Sequence, residues 1–233
     1  VLFVLPPVLA AYVFSKNVQR YLFLRKTKSV FILLTILIIF FSLPLINFTG
    51  FLNSQFTLPE ALSGIEKIMK ELEESAKQTT DTFLSVDSTG GLLVNIFVIA
   101  LLPAIGEELL FRGVLIRLFN EWFKNIHLTI VITSFLFSFI HFQFYGFIPR
   151  MLLGMIFGYL MYWSGSIILP MIAHFLNNAV AVCIYYFFKD SDVYEKADTF
   201  GVGSSDIIWL LVSTLLLVLF FYILKKEGKE EAY

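Results

Sequence analysis

The chain has 233 residues, of which 58% are hydrophobic and only 15% are charged, and its formal net charge is −1. A soluble domain carries about 25% charged residues, so this composition excludes an ordinary soluble fold and favours a membrane protein. The near-neutral net charge argues against nucleic acid as a partner. The single cysteine, Cys183, excludes a disulfide within the chain.

Long apolar runs predict seven helices that could cross a bilayer, because a span needs about 20 apolar residues. In chain order they cover residues 1–14, 29–48, 91–118, 128–146, 149–164, 167–188 and 206–224, and the first is short. Together they predict an all-α fold, a polytopic transmembrane helix bundle. We divide the chain into N-terminal membrane helices with an extracytoplasmic segment (1–90), a helical core (91–188), and a loop with a C-terminal transmembrane helix and tail (189–233).

The placement of lysine and arginine predicts the orientation of the bundle. The segments 15–28 and 117–127 and the tail after residue 224 are rich in basic residues. Alternating spans place all three on one side, which the positive-inside rule makes the cytoplasmic side. The segments 49–90 and 189–206 then lie on the opposite side. We expect an integral protein of the bacterial inner (plasma) membrane.

Residues 59–83 differ from the predicted spans because charged residues separate their apolar ones. The apolar residues recur at three- and four-residue steps and are Leu62, Ile65, Met69, Leu72 and Ala76. This spacing predicts an amphipathic helix on the membrane surface, and a solvated linker helix would show the same pattern. Elsewhere, Gly154 and Gly158 form a small-residue pair that favours close helix packing.

Charged residues inside a membrane span are costly, and they therefore mark candidate functional sites. Glu107, Glu108 and Arg112 lie inside the predicted helix 91–118. Glu108 and Arg112 are four residues apart and can pair on one helix face, whereas Glu107 is rotated by about 100° from Glu108. We expect Arg112 to neutralise Glu108 and Glu107 to face the bundle interior. The alternative is that both glutamates pair with Arg112.

Two histidines and an asparagine lie in other predicted spans. His141 falls in the predicted helix 128–146, and His174 and Asn178 share a face of the next helix but one. At a rise of about 1.5 Å per residue, Glu107, His141 and His174 lie at similar depths in the membrane. This predicts that they line a single cavity, which opens toward the cytoplasmic half. The alternative is that these side chains only form hydrogen bonds that hold the helices together.

The polar residues form three motifs, Glu107-Glu108-xxx-Arg112, Phe137-xxx-His141 and His174-xxx-Asn178. In order and separation they resemble the CAAX prenyl protease and bacteriocin-processing superfamily, the CPBP or Abi family, over about residues 91–188. The resemblance implies a glutamate-dependent intramembrane endopeptidase of all-helical fold that needs no cofactor. It implies that Glu107 and His141 activate a water and that His174 and Asn178 donate to the oxyanion. The residues implied to support them are Glu108, Arg112 and Phe137.

The implied substrate is a membrane-associated peptide or protein, either lipid-modified, such as a prenylated chain, or bacteriocin-like. Two other hypotheses use the same residues. In the first, Glu107, His141 and His174 hold a zinc ion, since two histidines and a carboxylate leave one position open for water. In the second, the protein binds a peptide without cleaving it and serves bacteriocin immunity. No serine or cysteine stands out as a nucleophile, although Ser138 lies between motif residues.

Overall fold

The computed structural model describes residues 3–228 of the chain, and in that range it contains helices and no strand. The helices are α1 (Leu5–Phe14), α2 (Val18–Tyr21), α3 (Ser29–Ser54), α4 (Ser63–Leu84), α5 (Thr89–Phe123), α6 (Ile126–Phe139), α7 (Phe147–Ser164), α8 (Ile168–Phe188), α9 (Asp192–Thr199) and α10 (Ile207–Glu227). Short 3-10 turns precede α4, α7 and α10. The predicted all-α architecture is therefore confirmed.

Five helices are long and apolar enough to cross a membrane, namely α3, α5, α7 with its preceding turn, α8 and α10. Two more, α1 and α6, are apolar but shorter. On α10 the side chains of Ile208, Leu211 and Leu215 are 67%, 58% and 70% exposed. Such a continuous apolar surface is stable against lipid rather than water. The protein is thus an integral membrane protein with a polytopic helix bundle.

Helix α8 lies at the centre of the bundle and packs against α3, α5 and α7. Helix α3 also contacts α7 and α10. One buried apolar cluster joins α3, α7, α8 and α10 and contains Ile38, Phe157, Leu160, Leu169 and Leu217. A second joins α1, α5, α6 and α7 and contains Ala11, Leu109, Ile116, Ile130 and Met161. These two clusters hold the helices that carry the three motifs.

Helices α6 and α7 approach closely where two glycines of α7 face α6. A Cβ atom on Gly154 would lie 2.9 Å from Ser134 Cβ and 3.2 Å from Ser134 Cα. A Cβ atom on Gly158 would lie 2.8 Å from Ile130 Cγ2. The predicted role of this small-residue pair in helix packing is confirmed, because a larger side chain would push the helices apart.

We expect Gly154→Ala to lower the free energy of unfolding by about 1–3 kcal/mol, the usual cost of overpacking a tight contact. The added methyl group would press on the backbone of Ser134, which cannot move without shifting α6. Unfolding in mixed micelles with rising SDS measures the loss. The matched control is Gly64→Ala, because nothing lies within 4 Å of that position on α4. Equal stability of the two variants would contradict the close packing.

Helix α6 ends at Phe139, so the predicted helix 128–146 is wrong at its C-terminal end. The side chain of His141 explains part of this ending, because its Nδ1 donates to the carbonyl oxygen of Phe137 at 2.7 Å. In a continuing helix, the backbone N–H of His141 would take that carbonyl, but it bonds to Ser138 O instead. Phe142 then has φ +53°, in the left-handed region that no regular helix continues through. His141 therefore caps α6 rather than lying within it.

Helix α4 lies beside the turn between α6 and α7. Glu73 Oε2 accepts a hydrogen bond from the backbone N–H of Tyr145, and Asn95 Nδ2 of α5 donates to Phe83 O near the end of α4. Ile65 and Ile68 remain more than half exposed. The predicted amphipathic helix is confirmed as a helix, and its contact with the membrane surface stays a prediction.

Candidate active site

Glu107 and Glu108 lie in the middle of α5, between two segments of π-helix at Ile96–Leu101 and Leu109–Leu115. Such π-bulges are frequent at functional sites. Pro103 has no N–H for the carbonyl of Ile99 four residues before it. Asn178 Nδ2 of α8 donates to that carbonyl at 3.0 Å instead. The asparagine of the third motif is therefore tied to the irregular backbone beside the glutamates.

Glu108 is fully buried and connects two neighbouring helices. Its Oε1 accepts a hydrogen bond from Arg112 Nη1 at 2.8 Å and lies 2.9 Å from His174 Nδ1. Arg112, also buried, donates through Nη2 to the carbonyl of Gly154 on α7 at 2.9 Å. A buried ion pair needs further hydrogen bonds to both charges; these contacts supply them to Arg112 and to Glu108 Oε1, while Glu108 Oε2 has no partner among the described residues. The predicted pairing of Glu108 with Arg112 is confirmed.

Aromatic rings surround the buried guanidinium of Arg112. Its Cζ lies 4.7 Å from the ring centre of Phe137, 5.3 Å from Phe157 and 5.9 Å from Phe111. The Phe137 ring also meets the rings of His141 and His174 edge-on, at 5.2 and 5.9 Å between centres. Phe137 thus packs against both the guanidinium and the two histidine rings, and its cation–π attraction to Arg112 adds to the pairing of Arg112 with Glu108.

Glu107 differs from Glu108 in that it lines a cavity and accepts no hydrogen bond from Arg112. Its Oε2 is buried and has no hydrogen-bond partner among the described residues, and the nearest ring nitrogen of His174, Nε2, lies 4.0 Å away. Buried polar atoms are normally paired, and an unpaired one is costly unless water or a ligand meets it. Glu107 lines a cavity of about 1090 Å³ that His141, His174 and Asn178 also line. The structure therefore brings all four residues predicted as catalytic to one cavity.

The hydrogen bonds of His141 determine which of its nitrogens can act as a base. A carbonyl oxygen only accepts, so the Nδ1 that bonds to Phe137 O must carry the proton. In the neutral ring Nε2 is then unprotonated and can accept a proton. His174 has the same arrangement, since its Nδ1 faces the carboxylate of Glu108. His174 can therefore donate from Nε2 only when both of its nitrogens are protonated.

Comparison with known proteins supports the interpretation of the motifs. The profile of the family described as type II CAAX prenyl endopeptidase Rce1-like matches residues 89–180, which contain every motif residue. Over residues 89–180 the chain is similar to this family. The uncharacterized protein YpbD of Bacillus subtilis (strain 168) is 32% identical over 93 residues, which cover 38% of this chain and 44% of that relative. The chain thus spans less than half of the relative's length, and no solved structure matches.

The Rce1-like segment also carries cavity residues that the sequence analysis missed. Arg150, near the start of α7, lines the cavity and donates to the side chain and the carbonyl of Gln143. It was detectable as a charged residue inside the predicted span 149–164, by the argument that selected Glu107. Asn53, at the end of α3, lies outside this segment and does not line the cavity, but it accepts from Ile148 N and donates to Phe144 O. No sequence signal marks Asn53, because its partners come from a distant turn.

Ser138 of the Rce1-like segment has a structural contact. Its Oγ is buried and donates to the carbonyl of Phe147 at 2.7 Å, across the turn between α6 and α7. A hydroxyl that donates its hydrogen to a carbonyl does not present that hydrogen to a base. As placed, Ser138 holds the turn together and does not fit the role of a nucleophile.

The three residues of the zinc hypothesis do not form a ligand set as placed. Within residues 3–228, no group of three His, Cys, Asp or Glu side chains lies close enough together to hold a metal ion. Glu107 Oε2 and His174 Nε2 are 4.0 Å apart, and the Nδ1 atoms of His141 and His174 are already hydrogen-bonded. We therefore derive no catalytic step through a metal ion.

The cavity extends away from the basic segments of the chain. It is lined by Thr80 and Leu84 of α4 and by Val193 and Phe200 in or beside α9. None of the described residues in 15–28, in 117–127 or after 224 lines it, and Lys229 of the basic tail lies outside the described residues. The expected opening toward the cytoplasmic half is therefore wrong for the predicted orientation. The depths of the polar residues could not predict this opening, because α4 and the region of α9 line that end of the cavity.

Proposed function

We propose that this protein is an intramembrane endopeptidase that hydrolyses peptide bonds of membrane-associated substrates with a water activated by Glu107 and His141. The observation that carries the proposal is the buried, unpaired Oε2 of Glu107 in the cavity that His141 and His174 share. The family to which residues 89–180 are similar is one of prenyl endopeptidases. A carboxylate kept in an apolar cavity, with one oxygen left for a ligand, suits a general base.

In the proposed reaction, a water lies between Glu107 Oε2 and His141 Nε2. Glu107 takes a proton from the water while the water oxygen attacks the peptide carbonyl carbon. Glu107 then gives that proton to the leaving nitrogen as the C–N bond breaks, which yields a new carboxyl group and a new amine. His141 holds the water through its unprotonated Nε2, the nitrogen that its bond to Phe137 leaves free.

The tetrahedral intermediate places negative charge on the former carbonyl oxygen. Asn178 uses one hydrogen of its amide for Ile99 O and keeps the other for this oxyanion. The second donor is Nε2 of His174, which lies on the Glu107 side of the ring, while its Nδ1 faces Glu108 at 2.9 Å. Preorganised donors of this kind contribute about 10²–10³-fold in rate each in other enzymes.

The substrate in this proposal enters from the bilayer. The cavity is lined mainly by apolar side chains, among them Phe40, Phe41 and Trp209, and the first and last of these are more than half exposed on the bundle surface. Such walls suit a lipid-modified peptide or an apolar bacteriocin-like peptide. We place the protein in a bacterial inner membrane, in line with its similarity to a Bacillus protein.

We expect His141→Asn to lower the rate of peptide cleavage by about 10²–10³-fold, toward the lower end of the range of about 10²–10⁴-fold for an acid–base group. The asparagine amide can still donate to Phe137 O, as Nδ1 does, but it lacks the second nitrogen that meets the water. Cleavage of a membrane-tethered peptide by purified protein in nanodiscs measures the effect. The control is His127→Asn, because His127 contacts Tyr159 and lies outside the cavity.

Three outcomes would contradict the proposal. Full activity of His141→Asn would remove the histidine from the reaction. Activity lost with a chelator and restored by zinc would favour the metal-dependent hypothesis. If the wild type cleaves no peptide and His141→Asn still confers bacteriocin immunity on cells, the protein binds without cleaving.

A further inference from the structure

Arg150 is a partly buried cation that has no role in the proposed hydrolysis. It lines the same cavity as Glu107. Its hydrogen-bond partners in the described part of the chain are the carbonyl oxygen and the side-chain oxygen of Gln143, both neutral. The carboxylates whose charges reach it, Glu73 and Glu107, form no ion pair with it. A cation in an apolar cavity beside neutral groups is unfavourable unless an anion joins it.

The guanidinium of Arg150 has donors left for such an anion. Arginine carries five N–H donors in a planar fork that matches a carboxylate, and Gln143 takes two of them. Beside the guanidinium lies Gly146, which also lines the cavity and has no side chain to cover it. A Cβ atom at Gly146 would lie 3.2 Å from Arg150 Nη2. The glycine therefore leaves this face of the fork open.

We propose that Arg150 binds a carboxylate of the substrate and thereby fixes which peptide bond reaches Glu107. This inference rests on the proposed endopeptidase function and names a specificity-determining residue for it. Two sources supply the same chemistry, the C-terminal carboxylate of the peptide and an acidic side chain near the cleaved bond. Either would balance the positive charge of Arg150 and form a paired, two-bond contact.

The competing role for Arg150 is to hold the turn that carries His141, since Gln143 is only two residues from that histidine. The two roles differ in what they change. A turn that loses its support would lower the rate for every substrate alike. A lost carboxylate site would weaken binding only of substrates that bear the carboxylate, and it would appear in KM rather than in kcat.

The test uses full-length protein in nanodiscs and three fluorescent apolar peptides of one sequence. The first has a free C-terminus, the second is C-terminally amidated, and the third is amidated but carries one glutamate. Binding is measured on the Glu107→Gln protein, which holds peptide without cleaving it. We expect at least one of the two acidic peptides to bind about 10- to 100-fold more tightly than the neutral one, as for hydrogen bonds to a charged group.

In Glu107→Gln/Arg150→Met we expect this preference to disappear, and in Glu107→Gln/Arg150→Lys to be reduced. Gly146→Ala should weaken it without removing the cation. The peptide that loses its advantage identifies the source of the carboxylate. Equal binding of all three peptides, or a preference that survives Arg150→Met, would overturn the inference. Cleavage by the Arg150→Met enzyme that slows equally for all three peptides would instead assign Arg150 to the turn.

This design separates the two proposals. If the wild type binds acidic peptides through Arg150 but cleaves none of them, the endopeptidase function fails and the carboxylate site stands. If the wild type cleaves all three peptides equally well, the function stands and the carboxylate site fails.

Discussion

Glu107→Gln is expected to abolish peptide cleavage while leaving the protein as stable as the wild type or more stable. The proposed reaction uses Glu107 twice, as base toward the water and as acid toward the leaving nitrogen. We therefore expect a loss at the upper end of the range for acid–base groups, about 10⁴-fold. Single-turnover cleavage in nanodiscs measures the rate, and SDS-induced unfolding measures the stability.

The expected stability follows from the surroundings of the side chain. Glu107 Oε2 has no hydrogen bond to lose within the described residues, and glutamine has nearly the same shape. Replacing a carboxylate with a neutral amide also removes the cost of keeping charge in an apolar cavity. Replacing an active-site residue commonly stabilises a protein. The control is Glu121→Gln on the same helix, whose side chain is exposed and should change neither quantity.

A Glu107→Gln protein that cleaves at the wild-type rate would remove the carboxylate from the mechanism. A protein that fails to fold would instead give Glu107 a structural role like that of Glu108. The same variant identifies natural substrates. Membrane peptides that appear in cells carrying the wild type, and not in cells carrying Glu107→Gln, are the products of the enzyme.

The chemistry of the site was more predictable from sequence than its backbone. An unpaired charge in an apolar span is costly, so Glu108 and Arg112, at four-residue spacing, were expected to pair with each other. The structure shows that they do. The same cost requires polar groups from different spans to meet. This is why Glu107, His141, His174 and Asn178 line one cavity. The resemblance to a family then supplied the roles, which remain predictions.

Features that depend on local backbone geometry were not predictable. An apolar run continues through Phe139 and Ile140, and hydropathy cannot detect that a histidine side chain takes the carbonyl that would extend the helix. The π-helical segments on either side of the glutamates also leave no mark in composition. Arg150 was missed for a different reason, because its charge is evident from the sequence. Its proposed role depends on the lack of an acidic hydrogen-bond partner among the described residues, which only the fold reveals.

Arg112→Met is expected to lower the free energy of unfolding by about 3–5 kcal/mol, the cost of leaving one partner of a buried ion pair unpaired. Methionine fills much of the same space among Phe111, Phe137 and Phe157, so the loss reports charge rather than volume. The variant leaves Glu108 fully buried with His174 as its one remaining partner among the described residues. It also removes the bond that ties α5 to Gly154 O on α7.

SDS-induced unfolding measures this loss, with Arg20→Met as the exposed control. The double variant Glu108→Gln/Arg112→Met tests whether the unpaired carboxylate of Glu108 causes the loss of stability. Because it removes both charges, it should recover much of the stability lost by Arg112→Met alone. It should not recover activity, since Glu108 also holds the ring of His174. If the double variant were less stable than Arg112→Met, the bond to Gly154 and the aromatic packing, rather than the unpaired carboxylate, would account for the role of Arg112.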